Sequence, residues 1–113
     1  MVLMRAADGL PSGAGMLVVK RGPNAGSRFL LNQPATSAGS HPASDIYLDD
    51  VSVSSRHAEF HCDGREFRLI DVGGRNGTYV NRELVQTAQL DNGDEIVIGK
   101  FRLVFLLSRP ASS

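Results

Sequence analysis

The chain carries a single cysteine, Cys62, among 113 residues. With no second thiol it forms no internal disulfide, and a reducing compartment is its natural setting. Cys62 falls in an alternating stretch, HAEFHC, which predicts a buried inert thiol and not a nucleophile. Net charge is also missing, since 12 basic residues offset 12 acidic ones. No global field then draws in nucleic acid or an acidic membrane, so neither is expected as a partner, and any basic function falls to a local patch. Long apolar runs are absent as well. No segment approaches the roughly 20 residues of a membrane span. The opening MVLMRAADGLPSGAG lacks the apolar stretch of about 7–15 residues that a signal peptide needs. The expectation is a soluble cytoplasmic protein, monomeric by default.

What the chain does have is enough apolar material, 42% of its residues, to build one compact core and therefore one domain. Residues 1–15 show no periodicity and predict a flexible tail. The ordered domain is expected over 16–107, with a disordered C-terminus over 108–113. Between those limits short strands alternate with turn residues. MLVVKR and SRFLL flank GPNAG, and HAEFHC and EFRLID flank Asp63-Gly64, so each pair predicts a hairpin. IYL, GTYVN, EIVIG and FRLVFLL supply further strands. LDNGDEIVIG predicts a tight turn feeding a strand, with Asn92-Gly93 suited to positive φ. No amphipathic run reaches helical length and no repeat is present. The spacing predicts an all-β sandwich. Its expected core is Leu17, Val19, Phe29, Leu31, Ile46, Leu48, Phe60, Leu69, Ile98, Leu103 and Phe105.

Four segments, in order, carry a more specific pattern: GSHPASDIYLDD (39–50), VSSRHAEF (53–60), DVGGRNGTYVN (71–81) and LDNGDEIVIG (90–99). Together they resemble the forkhead-associated (FHA) family, over about residues 16–107. The opening MLVVKRGPNAGSRFLL and the closing KFRLVFL are similar to the GarA/OdhI type of actinobacterial metabolic regulators within it. The resemblance implies a sandwich of eleven strands in two antiparallel sheets, the last segment forming a hairpin, and loops at one end that read phosphothreonine. It implies phosphate donors at the positions held here by Ser40, Ser54 and Gly74, and a backbone-gripping amide at Asn76. His57 would buttress the loops, with Gly39, Gly77 and Asn81 as further structural support. A phosphate dianion needs charge-assisted donors, so the implied chemistry is sound on its own terms.

Position by position, the donors are thinned out. The family pattern has arginine where this chain has Ser40 and Ser55, and serine where it has Gly74. Hydrogen bonds to charged groups contribute roughly 1.5–3 kcal/mol each, so losing two weakens phosphate binding by about two to four orders of magnitude. Arg56 and Arg75 lie nearby as substitutes. Restoring arginine at 40 and 55 and serine at 74 is expected to recover binding. The site residues are therefore Ser40, Ser54, Ser55, Arg56, Arg75 and Asn76. Their partner is a protein, read through phosphothreonine in bacterial Ser/Thr kinase signalling, or else a metabolic enzyme docked without phosphate. The regulators of this type share a tail whose phosphorylated threonine occupies their own pocket. Residues 1–15 here hold no threonine and Ser12 as their one hydroxyl, so no such self-inhibition is expected.

Other chemistries fit less well. Ser54, His57 and Asp71 superficially resemble a hydrolase triad, but no G-x-S-x-G elbow surrounds the serine. His41, His57 and His61 lack metal-ligand spacing, and GPNAGSR lacks the G-K-[ST] of a phosphate loop. No catalytic residue, metal or cofactor is expected. Residues 73–77 read equally as a nest of amides for an anion or as a glycine-rich turn.

Overall fold

The computed structural model describes residues 14–108, Arg65 excepted. The expected tail and C-terminus thus lie outside the described residues, save Ala14, Gly15 and Ser108. Eleven strands follow in order: β1 (Gly15–Arg21), β2 (Arg28–Leu31), β3 (Ala35–Gly39), β4 (Ile46–Tyr47), β5 (Ala58–Asp63), β6 (Glu66–Asp71), β7 (Thr78–Val80), β8 (Glu83–Leu84), β9 (Thr87–Leu90), β10 (Glu95–Ile98) and β11 (Phe101–Leu107). They form a sheet ordered β2-β1-β11-β10-β7-β8 and a second ordered β4-β3-β5-β6-β9. Among the described residues no helix is long and apolar enough to cross a membrane.

Alternation builds the sandwich. Leu17 and Val19 on β1, Ile96 and Ile98 on β10, and Leu103 and Phe105 on β11 are all buried, while their chain neighbours Val18, Val97 and Val104 are not fully so. Phe60, Phe67 and Leu69 answer from the second sheet. The two layers meet at Phe67 and Phe105, whose ring centroids lie 5.2 Å apart and tilted by 53°, the offset geometry that aromatic quadrupoles favour. Every expected core residue is buried except Phe29, which packs partly buried against the cluster. Cys62 is only half-buried, near the end of β5, with Sγ 3.6 Å from the Gly64 carbonyl.

The topology corrects two expectations. LDNGDEIVIG is not a hairpin: β9 pairs with β6, whereas β10 pairs with β7 and β11. The turn carries the chain from one sheet to the other, and Gly93 alone of its residues takes positive φ, at 91°. The second sheet is also not wholly antiparallel. Ala38 pairs with Ile46 and Gly39 with Tyr47 in parallel, because residues 40–45 double back beside the end of β3. Three strands escape the apolar pattern for simple reasons. β3 (ATSAG) buries only small side chains, Thr36 and Ala38, β8 has two residues, and β9 buries Leu90 alone.

Candidate partner-binding site

Three loops gather at one end of the sandwich: 40–45 after β3, 48–57 after β4, and 72–77 after β6. His57, fully buried, fastens them. Its Nδ1 accepts the Ser54 N–H at 3.1 Å, which leaves Nε2 to donate to the Gly77 carbonyl at 2.8 Å. One neutral tautomer satisfies both contacts. The His57 backbone donates to Ala38 O and accepts from Val72 N–H, each at 3.0 Å. The closeness of the first two loops demands Gly39, since a Cβ there would overlap the Ser55 carbonyl oxygen.

Asp71 organises the third loop. Its Oδ1 accepts the N–H groups of Gly73 and Gly74, both at 2.9 Å, and its Oδ2 accepts the hydroxyl of the buried Thr78 at 2.8 Å. Burial works to raise this carboxyl. The hydrogen bonds from Gly74, Thr78 and Gly73 outweigh it and hold the group below the usual carboxylate range. The Arg75 N–H goes to Ser54 Oγ at 2.8 Å, and the Gly77 N–H to Gly74 O at 3.0 Å. The amides of 73, 74, 75 and 77 are therefore spent inside the protein. Residues 73–77 form a closed glycine-rich turn and not an open anion nest.

Ser52 joins a fourth element to the crest. Its Oγ accepts the Lys100 N–H at 2.9 Å from the turn between β10 and β11. Its carbonyl accepts Asn76 Nδ2 at 3.0 Å. Its hydroxyl and N–H both donate to Asp50 and hold that carboxyl below its ordinary value. Sequence reasoning passed over Ser52. The D-x-S spacing of Asp50 and Ser52 was the available signal, since such a pair closes a local side-chain turn.

Most of the expected site residues meet here. Ser40 N–H donates to Ser54 O at 3.0 Å, while Ser54, Arg75 and Asn76 interlock as described. Ser55 is exposed. Arg56 lines an open flank groove of about 250 Å³ with Ser37, His41, Glu59 and Val72. Asn81 is not among the loops. It occupies the turn after β7, at φ 50°, where its side chain bonds Asp94 and the Glu95 N–H, each at 3.0 Å. The three residues of β7, about 10 Å of strand, separate it from the crest. Gly74 also departs from expectation: a Cβ there would overlap His57 Nε2, so a serine does not fit this packing unaided.

Ser54, His57 and Asp71 are brought together but not wired for catalysis, because both ring nitrogens of His57 bond backbone groups. No cluster of metal-ligating side chains, from His41, His57 and His61 or others, occurs among the described residues.

An FHA domain profile matches residues 36–99, a span that contains the three loops fastened by His57. The glycogen accumulation regulator GarA of Mycolicibacterium smegmatis is 73% identical over 99 residues, covering 88% of this chain and 63% of that protein. The oxoglutarate dehydrogenase inhibitor of Corynebacterium efficiens is 67% identical over 100 residues, covering 88% of this chain and 70% of that one. The chain thus spans less than two thirds of its mycobacterial relative. A solved structure from a study of phosphothreonine-dependent FHA domain interactions superposes with a TM-score of 0.80 at 29% identity, covering 86% of this chain and 99% of that one. With its His57-fastened loops crowning an eleven-stranded sandwich, and with these likenesses across most of its length, the chain belongs to the FHA domain family.

Proposed function

We propose that the crest binds a segment of a partner protein in the cytoplasm, reading phosphothreonine in bacterial Ser/Thr kinase signalling with weakened phosphate affinity. The observation that carries this reading is the pairing of Ser54 and Asn76. Ser54 Oγ accepts the Arg75 N–H, which leaves its own proton for an anion. Asn76, tethered to Ser52 O through one N–H, keeps its carbonyl oxygen for a partner's backbone. Both stand over a His57 whose hydrogen bonds are complete, so the donors are preorganised. The hydroxyls of Ser40 and Ser55 offer single neutral donors where a guanidinium would bring charge and a fork.

The missing donors favour a second reading, in which the same face docks on a metabolic enzyme without phosphate. The relative named as an inhibitor of oxoglutarate dehydrogenase supports it. Calorimetric titration with matched phosphothreonine and threonine peptide libraries separates the two. At least tenfold tighter binding of the phosphorylated set, about 1.4 kcal/mol, is expected. Equal binding of both sets overturns the phosphate reading in favour of the second.

A further inference from the structure

We infer that Arg75 is the guanidinium that meets the partner's anion, reaching it from the turn between β6 and β7. The inference rests on the anion-reading function proposed above and names the cation that serves it. The Arg75 N–H lies 2.8 Å from Ser54 Oγ, so its Cα is within about 4.3 Å of that hydroxyl once the N–Cα bond is added. An arginine side chain spans that gap with length to spare. Ser40 is bonded to the same residue, through Ser54 O, so a guanidinium passing over Ser54 reaches the space in front of Ser40 as well.

Other cations near the crest are placed less favourably. Arg56 lines the flank groove, together with Glu59. Lys100 is bonded through its N–H to Ser52 Oγ and lies within the field of Asp50. Arg75 is exposed, and the ion pairs among the described residues are His61–Glu59 and Arg102–Glu95, neither of which involves it. The acidic group in its own turn, Asp71, is already committed to Gly73, Gly74 and Thr78. The turn is therefore a fixed mount carrying an unpaired fork of donors. Beside it the Ser54 hydroxyl accepts the Arg75 N–H and still has its own proton to donate. A fork and one hydroxyl donor suit the oxygens of a phosphate dianion.

The test titrates the full chain and its variants with the phosphothreonine and threonine libraries, melting temperature being recorded for each variant. Arg75→Ala is expected to weaken phosphothreonine binding at least tenfold, to leave threonine-peptide binding unchanged and to flatten the salt dependence. Arg75→Lys should fall between, having charge without the fork. Ser40→Arg added to Arg75→Ala should restore affinity from the other side of the phosphate, and the charge-matched control Arg28→Ala on β2 should change nothing. Phosphate preference that survives Arg75→Ala within twofold, or that is lost with Arg56→Ala instead, overturns this inference and leaves the proposed function standing. A wild-type chain that binds both libraries equally overturns both.

Discussion

The crest has two layers built on opposite terms. Beneath, His57 and Thr78 are fully buried, and with Asp71 they exchange hydrogen bonds with one another's loops. Above, Ser55, Arg75 and Asn76 are exposed, and the arginine has no ion-pair partner among the described residues. The lower layer holds geometry and the upper layer offers chemistry. Two of the three departures from the family pattern, Ser40 and Ser55, fall in or beside the upper layer, where exchange leaves the mount intact. The third, Gly74, touches the lower layer, and there the packing has closed around the missing side chain.

The widest contrast comes from His57. His57→Ala removes a fully buried ring and strands the Ser54 N–H and the Gly77 carbonyl, at a cost of about 3 kcal/mol. Thermal unfolding should fall by on the order of 10–20 °C, against a Ser55→Ala change within about 0.5 kcal/mol. Equal shifts for the two variants would abolish the distinction between layers.

Gly74→Ser sharpens it next. On sequence grounds this change restores a phosphate donor. In the structure its Cβ meets His57 Nε2 and Asp71 Oδ2, so the expected result is a destabilisation of about 1–3 kcal/mol by overpacking, without a gain in phosphothreonine affinity. A variant as stable as wild type and tighter in binding would show that the turn yields readily.

The smallest effect is pH-dependent. The Asp71 carboxyl is held below its ordinary value in the fold, so its ionised form stabilises the folded state. That contribution is fully present above the unfolded carboxylate range, near pH 4, and is lost as pH falls through the depressed folded value. Asp71→Asn should cost roughly 1 kcal/mol at neutral pH. The gap between the two melting curves should narrow on acidification below about pH 4. A gap constant from pH 7 to 2 would deny the carboxylate this role.

The strands with large apolar residues were legible because burial of every second side chain is written directly in EIVIG, EFRLID and FRLVFLL. β3 was not, because Thr36 and Ala38 fill their share of the core with small groups that break no pattern. Within the site, Ser54, His57 and Asn76 stood out by motif. Ser52 and the clamp at Asp71 did not, since a lone serine or aspartate in a loop carries no mark of what it will touch.

The chain by itself determined a sandwich of short strands, its core, and the set of loops that would bear the site, since a two-residue side-chain period and turn residues are local properties. Tertiary structure alone decided the rest: the change of sheet between β9 and β10, the parallel pairing of β3 with β4, the exclusion of a side chain at Gly74 and the remoteness of Asn81. It also decided which arginine stands beside Ser54. These depend on hydrogen bonds across 20 residues from His57 to Gly77, 21 from Ser54 to Arg75 and 48 from Ser52 to Lys100. Such contacts exist only once two packed sheets have brought the ends of distant strands together, and no local period encodes them.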